Sequence, residues 1–504
     1  MIKRSISIRT RALIALAAPM ICATLAQAGN IQVIHSTIAG QPTSLVPGEG
    51  GALRFTRFDF PWRSPDGNRW ILLCGTNRGA IENDLILKGM GTAGAVAIKE
   101  GPIPAPWQPA ETINTLDFGI GLNNDGSFAF SANTSLGPDV GDEYVVKFNG
   151  STYEIIAREG DPIPSIPGAT YGLILDDVHL LADGRVGFTC INANNLPTES
   201  NTCLFLGDQL FAREGVTIPS GQIFGGMWPW DNFDFLTYFH SSDGSKSIVS
   251  GDTENTNTSM DGVLVVNGIV FMQENASVIP TFALPVVSGL SGFVEVAMMS
   301  NGDWFARGSN SDGQDWVVRN NIALARTNAA IFSGAAENWS DAVPNVRTYF
   351  LHVGNNHGDY AIGGWTNNAD ANRNTVIALN NQRVIAREGD MVDLNNNGVS
   401  DDDAFIAAMG LDEGFLNDRR ELYFTATLRN AAGTSLGEAF LRTKVCAADT
   451  NGDGQVNVND LLNVINAWGP APQGTAADLA PPIGDGQVNV GDLLSVINAW
   501  GSCS

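Results

Sequence analysis

A loop near the C terminus carries oxygen-bearing residues at the spacing that a bound cation requires. Its six candidate ligands are Asp449, Asn451, Asp453, Gln455, Asn457 and Asp460. Gln455 would contribute its backbone carbonyl, Asn457 would act through a water molecule, and Gly454 would allow the sharp turn. Because hard cations prefer oxygen ligands, the spacing predicts a Ca²⁺ site. The alternative is an Asx-rich turn without an ion.

The same pattern returns 32 residues later, with an insertion. Its candidate ligands are Asp478, Asp485, Gln487, Asn489 and Asp492. Asp478 follows Asp449 by only 29 positions, so three residues are inserted within 479–483. Asp478 can reach an ion if the inserted segment bulges outward. We therefore predict a second Ca²⁺ site in this loop.

A third acidic loop occupies residues 393–403. Its candidate ligands are Asp393, Asn395, Asn397 and Asp401. Position twelve of this loop is Ala404, so the acidic run at 401–403 would have to replace the usual closing carboxylate. Two interpretations stay open: a third Ca²⁺ site, or an ordinary solvated acidic loop.

Each C-terminal loop leads directly into an apolar segment. The segments are residues 461–469 and 493–501, and we predict a short helix in each. The composition changes at Cys446, which predicts a separate domain over residues 446–504.

Upstream of this domain, a turn phrase recurs with a steady period. The copy Asn123-Asn124-Asp125-Gly126 leads into a small and aromatic strand. The seven copies begin at residues 64, 123, 181, 241, 299, 355 and 417, with spacings of 59, 58, 60, 58, 56 and 62. Such a period indicates a repeat architecture.

Each repeat contains four short runs of β-branched and aromatic residues separated by turn residues, which predicts four strands. Seven such repeats over residues 29–445 predict a mainly β fold, a seven-bladed β-propeller. Two strands before the first turn copy and two after the last are expected to complete one blade. A second phrase, Ile-Ala-Arg-Glu-Gly at 156–160 and 385–389, keeps the same period, and we interpret it as a turn constraint or an inter-blade ion pair.

Residues 1–28 have the pattern of a secretory signal peptide. A basic segment precedes a short apolar run and a small-x-small site that ends at Ala28. The apolar run is too short for a membrane anchor, and no later segment is long and apolar enough to span a membrane. The formal net charge of −25 excludes nucleic-acid binding through the net field. We predict a secreted or cell-surface protein.

Export favours disulfide bonds between suitably placed cysteines. Cys190 and Cys203 flank a predicted hairpin, and Cys446 and Cys503 bracket the C-terminal domain, so each pair is a candidate disulfide. Cys74 would be left over. The alternative is that all five are buried free thiols.

The two loop–helix units over 446–504 resemble type I dockerin domains, which plug extracellular proteins into cohesin receptors. The phrase Asn-Val-x-Asp-Leu-Leu-x-Val-Ile-Asn-x-Trp-Gly is similar to the ends of secreted planctomycete proteins. The resemblance implies that the residues just before Asp460 and Asp492 select the partner. These residues are Val458, Asn459, Val490 and Gly491. The Asn-x-x-Gly-x-x-Ala-Phe phrase resembles tandem repeats of secreted bacterial proteins.

No common catalytic motif occurs in the sequence, and the five histidines are scattered over different repeats, which favours structural roles. We predict a secreted, non-enzymatic propeller that binds a polysaccharide or protein ligand. Its C-terminal domain would dock, with Ca²⁺, to a cohesin-like protein or a cell-surface component. The alternatives are a polysaccharide-degrading enzyme delivered by this domain and a structural surface-layer component.

Overall fold

The computed structural model describes most of the chain. The described residues are 31–79, 82–102, 111–135, 141–224, 226–275, 293–311, 313–341, 347–397, 399–446, 448–451, 455–471, 475, 477–480 and 486–502. The predicted signal peptide at 1–28 lies outside them.

Short strands dominate the structure. In chain order they are β1 (Ile31–Ser36), β2 (Phe55–Arg63), β3 (Trp70–Thr76), β4 (Asp84–Met90), β5 (Ala93–Lys99), β6 (Gly101–Pro102), β7 (Thr112–Leu122), β8 (Phe128–Thr134), β9 (Glu143–Phe148), β10 (Tyr153–Arg158), β11 (Ile174–Leu180), β12 (Val186–Ile191), β13 (Cys203–Leu206), β14 (Gln209–Arg213), β15 (Phe239–His240), β16 (Ser247–Asp252), β17 (Gly262–Val266), β18 (Ile269–Gln273), β19 (Phe293–Met298), β20 (Trp304–Ser309), β21 (Asp315–Arg319), β22 (Ile322–Arg326), β23 (Tyr349–Gly354), β24 (Tyr360–Trp365), β25 (Thr375–Leu379), β26 (Arg383–Arg387), β27 (Phe405–Leu416), β28 (Glu421–Arg429), β29 (Ser435–Lys444), β30 (Gln455–Val456), β31 (Gly469–Pro470), β32 (Gln487–Val488) and β33 (Gly501–Ser502). Single 3₁₀ turns lie at Pro42–Ser44 and Thr198–Ser200.

Seven sheets of the described residues have four or five strands each, and together they form a seven-bladed β-propeller. Six sheets consist of consecutive antiparallel strands: β2 to β5, β7 to β10 with β6 at the edge, β11 to β14, β15 to β18, β19 to β22, and β23 to β26. The seventh sheet has the order β1-β29-β28-β27. The predicted blade number and strand number are confirmed.

The closing blade joins the two ends of the propeller region, but in a different proportion from the one expected. Only β1 comes from the N-terminal side, and it pairs with β29, with Val33 opposite Leu441. The predicted two-plus-two closure is wrong, because residues 53–56 lead into β2, the innermost strand of the first blade. Each turn phrase joins the innermost strand of a blade to its second strand. The last turn copy therefore follows the innermost strand β27, so β27, β28 and β29 all come from the C-terminal side and the N-terminal side adds one strand.

The recurring turn phrase forms a ring of contacts between neighbouring blades around the axis. The donor and acceptor pairs are Asp66 N to Asn124 Oδ1, Asn123 Nδ2 to Leu181 O, Ala182 N to Ser242 O, Ser242 N to Ser300 O, Asn301 Nδ2 to Asn356 O, and Asn355 Nδ2 to Asn417 O. An ion pair of 3.9 Å between Arg63 and Asp418 joins the seventh turn to the first blade. The phrase recurs because each turn binds the next one.

Hydrophobic clusters fill the spaces between blades. One cluster combines Ile71 and Ile86 of the first blade with Phe128 and Phe130 of the second. Because each sheet buries a face against its neighbour, a single blade would expose much of its apolar surface. The ring is therefore the unit that folds.

The C-terminal segment contains two short helices, α1 (Val458–Asn466) and α2 (Val490–Asn498). Each begins three residues earlier than predicted, because Asn457 and Asn489 act as N-caps in capping boxes with the third helical residue. The short strand β30 pairs with β33, and β31 pairs with β32, so each loop pairs with the segment after the other helix. Among the described residues, no helix is long and apolar enough to cross a membrane.

Candidate functional sites

The carboxylate of Asp460 ties the first C-terminal loop to its helix. Its Oδ1 accepts hydrogen bonds from the backbone N–H of Thr450 at 2.7 Å and of Asn451 at 3.2 Å. Its Oδ2 accepts from the N–H of Asn457 at 2.9 Å. The side chain is fully buried. The loop and the first turn of α1 are thus held by one carboxylate.

Asp492 repeats this arrangement in the second unit. It accepts hydrogen bonds from the backbone N–H of Leu479, of Ala480 at 2.7 Å and of Asn489 at 2.7 Å. The backbone N–H groups of residues 479 and 480 thus correspond to those of residues 450 and 451 in the first unit. Asp478 therefore corresponds to Asp449. The N–H of Gly486 donates to Asp478 Oδ2 at 2.9 Å, so the chain beyond the insertion returns to Asp478.

The remaining predicted ligands differ in exposure. Asp449 and Asp478 are buried, whereas Asn451, Gln455 and Gln487 are exposed. Within the described ranges, no three His, Cys, Asp or Glu side chains form a metal-binding group. Several ligands predicted in the two C-terminal loops are instead side-chain amide oxygens or backbone carbonyl oxygens.

Two predicted ligands serve as helix caps, and two cannot be placed. Asn457 Oδ1 accepts from the N–H of Asn459 at 2.8 Å, and Asn489 Oδ1 accepts from the N–H of Gly491 at 2.7 Å. Asp453 and Asp485 lie outside the described residues. Calcium binding in both loops stays a prediction.

Each C-terminal helix, with the tryptophan that follows it, presents the same four apolar side chains to solvent. They are Val458, Leu462, Ile465 and Trp468 in the first unit, and Val490, Leu494, Ile497 and Trp500 in the second. Their exposed fractions run from 46% to 60%. We call these eight residues the paired apolar face. Of the four residues predicted to select a partner, Val458 and Val490 belong to it.

Sequence reasoning missed the other six members of the paired apolar face. A signal was present, because the same residue types recur at positions one, five, eight and eleven of both units. This spacing places side chains on one side of a helix.

The acidic loop at 393–403 is held by hydrogen bonds among its own residues. Asp393 Oδ1 and Asn395 Oδ1 both accept from the N–H of Asn397, at 3.0 and 2.9 Å. Asp402 Oδ2 accepts from the N–H of Leu394 at 2.7 Å. Asp401 is exposed. The loop also pairs with β1, since the N–H of Asp393 donates to Ile31 O at 2.8 Å. A third Ca²⁺ here stays a prediction.

The cysteines fall into two groups. Cys190 and Cys203 are register partners on β12 and β13, yet both are free, buried thiols, as is Cys74. The structure contradicts the predicted Cys190–Cys203 disulfide, because it holds both residues as free thiols. Burial raises the pKa of both thiols to about 12, which favours their protonated form. Cys446 is disulfide-bonded, and Cys503 lies outside the described residues.

The Arg-Glu phrase acts as a turn constraint within a blade. Glu159 Oε2 accepts from the N–H of Gly141 at 2.8 Å, and Arg158 donates to Gly141 O at 3.0 Å. In another blade, Glu214 Oε2 accepts from the N–H of Thr202 at 3.0 Å. The outermost strand thus fixes the loop that leads into the third strand.

The innermost strands of all seven blades line a cavity of about 190 Å³ on the propeller axis. Trp62 and Phe239 stack in its wall with ring centroids 5.7 Å apart. His179 and His352 also line it, although sequence reasoning treated every histidine as structural. Burial lowers the pKa of His179 to about 4 and that of His352 well below its ordinary value, so both rings are neutral.

β-Bulges aim side chains at this axis. Register shifts interrupt the innermost strands β2, β7, β11 and β27. Three residues near these shifts have a positive φ: Phe60 (48°), Asp177 (54°) and Asp412 (60°). Leu236 (54°) occupies the corresponding place in the fourth blade. Such backbone costs energy for these residues and persists only where the surroundings hold it, often beside functional sites.

Carboxyl groups gather at the bulges and carry raised pKa values. Burial, and then the charge of Asp176, raises the pKa of Asp117 and of Asp177 to about 7. Burial, and then the charge of Asp412, raises the pKa of Glu295 to about 7. Burial also raises the pKa of Glu413 to about 7. Buried carboxyl groups whose pKa values are raised by burial and neighbouring charges mark a candidate functional site.

Sequence reasoning did not find these carboxyl groups among 53 acidic residues. A repeat signal existed for one of them, because Asp117 belongs to the series Asp59, Asp117, Asp176 and Asp234, whose members follow one another at 58, 59 and 58 residues. That period equals the period of the turn phrase. Polysaccharide degradation stays the alternative to the non-enzymatic function predicted from the sequence.

No protein-family model matches the chain, and no curated protein matches it. The β-propeller domain of the trilobed protease from Pyrococcus furiosus is 7% identical, with a TM-score of 0.37, over 76% of this chain and 94% of that one. Oligogalacturonate lyase from Vibrio parahaemolyticus is 9% identical, with a TM-score of 0.40, over 83% of this chain and 97% of that one. No activity is transferred from these proteins at such similarity.

Proposed function

We propose that this chain is a secreted binding protein in which a β-propeller is held in place by a calcium-dependent docking module at residues 446–504. The observation that carries the proposal is the paired apolar face. Soluble proteins seldom duplicate an exposed apolar surface of this kind unless a partner covers it. The partner that we propose is a cohesin-like protein, as the resemblance to dockerins implies.

Two features of the paired apolar face suit a protein partner. Trp468 and Trp500 are about half exposed, and tryptophan is enriched among residues that dominate binding energy. The two helices pack together through Val464 and Val496, which are fully buried, and so leave their other sides to solvent. The duplication offers a partner two similar surfaces.

Calcium would control docking by fixing the loops on which the helices depend. Asp460 and Asp492 each connect a loop to the start of a helix through backbone hydrogen bonds. An ion bound by the loop oxygens would order the same residues, so that binding energy becomes folding energy for the unit. Removal of Ca²⁺ should therefore weaken the helices and the partner surface together.

Calorimetric titration of the mature chain, residues 29–504, with Ca²⁺ tests the metal sites. We expect each of the two C-terminal loops of the parent protein to bind one Ca²⁺, and we expect Asp460→Asn and Asp492→Asn each to lose one of these two sites. Asp231→Asn, a substitution of an exposed propeller carboxylate, is the matched control and should keep every site of the parent protein. An absence of Ca²⁺ binding in the parent protein would overturn the proposal.

Binding to a panel of purified cohesin domains, with Ca²⁺ and with EDTA, tests the partner. We expect calcium-dependent binding that weakens by at least about 100-fold in the double variant Leu462→Asp/Leu494→Asp, because interface centres exclude charge. Ile322→Asp, at a more exposed propeller position, should bind as the parent does. Equal binding by the double variant would exclude the paired apolar face.

A further inference from the structure

The axial cavity has the size of a small monocyclic ligand. Its volume is about 190 Å³, and all seven innermost strands contribute to its wall. An engineered apolar cavity of about 150 Å³ in another protein binds benzene. A ligand of six to ten non-hydrogen atoms would therefore fill this space, on the order of one ring and a short substituent.

One side of the cavity is aromatic and polarizable. Trp62 and Phe239 are nearly parallel, with an angle of 15° between their rings. Met298 lines the same space. Aromatic faces and thioether sulfur favour a flat apolar body, and aromatic faces also attract a cation. This wall does not depend on the docking module.

His352 supplies an unsatisfied polar group. It is 5% exposed, it lines the cavity, and neither of its ring nitrogens has a hydrogen-bond partner. A neutral imidazole has one donor and one acceptor, and burial of both without partners is unfavourable. A ligand that carries an N–H or O–H group would relieve this cost.

Another part of the cavity lining is electronegative. Glu295 and Asp412 line it, and Asp234 adds its negative charge at Glu295. The guanidinium of Arg307 lies nearby, but both of its terminal nitrogens are already bound to Asp412. Three carboxyl groups at Glu295 thus share the charge of Arg307. The second guanidinium in the cavity lining, Arg63, donates to Gly354 O and lies 3.9 Å from Asp418. A further positive charge would therefore be stabilised beside Glu295.

We propose that the axial cavity binds a small organic cation, a primary amine attached to one ring. Its ammonium group lies between Glu295 and Asp412, and its ring lies against Trp62 and Phe239. His352 hydrogen-bonds to the ligand from the cavity wall. The site is independent of the proposed docking module.

Three single-ring probes of similar size test the charge preference: benzylamine, benzyl alcohol and benzoate, titrated by calorimetry into the mature chain at pH 8. We expect benzylamine to bind at least about 10-fold more tightly than benzyl alcohol, because ion pairs in partly buried sites exceed neutral contacts. Benzoate should not bind. Equal affinity for the three probes, or no binding of benzylamine, would overturn the proposal.

Three variants locate the site. Glu295→Gln should weaken benzylamine binding by at least about 10-fold while leaving benzyl alcohol unchanged, since it removes charge and keeps shape. His352→Phe should weaken both probes. Glu199→Gln, at an exposed position of another blade, is the control and should change neither. Circular dichroism establishes that each variant is folded, and unchanged benzylamine binding in folded Glu295→Gln would exclude the site.

Discussion

Arg420 occupies the turn position at which the other six copies of the phrase carry glycine. Its φ is 59°, in the left-handed region that costs an ordinary residue about 1 kcal/mol. The side chain offsets this cost, because its guanidinium pairs with both oxygens of Asp359 at 2.8 and 2.9 Å. The loss of glycine in the last copy is therefore compensated by a link to the preceding blade.

Two glycines of the turn ring should differ in their tolerance of alanine. Gly126→Ala should cost about 1 kcal/mol, because φ is 86° and the added Cβ meets nothing closer than 3.7 Å. Gly67→Ala should cost at least about twice that, since its Cβ would also lie 2.8 Å from the backbone Cα of Asn417. Urea unfolding of the two variants measures the difference. Equal destabilisation by the two substitutions would show that Asn417 moves away from the added Cβ without a measurable loss of stability.

The buried cysteines should be inert in the folded protein. Burial raises the pKa of Cys74 well above its ordinary value and that of Cys190 and Cys203 to about 12. Because the thiolate is the reactive form, iodoacetamide at pH 8 should label none of the three until the protein unfolds. Peptide mass spectrometry measures the labelling. A linked Cys190–Cys203 peptide without prior oxidation would restore the disulfide predicted from the sequence.

At the scale of elements, carboxyl groups crowd the interface between the second and third blades. Glu143 on β9 accepts hydrogen bonds from Asn133 at 2.7 Å and from the N–H of Leu175 on β11 at 3.2 Å. Burial, and then the charge of Asp117, raises its pKa to about 8. The folded state therefore holds a proton that the unfolded chain, with a pKa of about 4.3, has lost at neutral pH.

This proton makes stability fall as pH rises. Between pH 6.5 and 8.5 the folded state binds more protons than the unfolded state, so the free energy of unfolding decreases until Glu143 ionises near pH 8. Glu143→Gln should remove roughly 2 kcal/mol of this decrease. Thermal unfolding at the two pH values measures it, and Glu199→Gln is the exposed control. An identical pH dependence in Glu143→Gln would contradict the raised pKa.

At the scale of the whole molecule, β1 closes the ring. All six of its residues are buried, and Arg442 of β29 donates to Gln32 Oε1 at 2.6 Å. Without β1, the strand β29 would become an unprotected edge, and edges of this kind pair with other chains. Closure thus protects the propeller as well as completing its last blade.

Deletion of residues 29–36 from the chain 29–504 should open the ring. We expect a lower and broader thermal transition together with oligomers, because Ile31 and Val33 leave the hydrophobic cluster of the closing blade. Size-exclusion chromatography and circular dichroism measure both effects. Addition of a synthetic peptide of residues 29–40 should restore the monomer, whereas a scrambled peptide should not. A monomer with unchanged melting would show that closure does not depend on β1.

The sequence by itself determined the features that depend on local chemistry. Turn residues such as Gly126 act within a few positions, so the blade period and the number of blades were readable from their spacing. The spacing of Asp449 and Asp460 likewise predicted a loop joined to a helix, although the capping by Asn457 moved the helix start.

Only the tertiary structure decided which distant residues meet. Pairing of Val33 with Leu441 spans most of the chain, and no local pattern distinguishes a one-plus-three closure from two plus two. The structure likewise decided that Cys190 and Cys203 are free thiols, although they are register partners on neighbouring strands. The axial cavity, where Glu295 meets Asp412, exists only because ring closure turns seven innermost strands toward one axis.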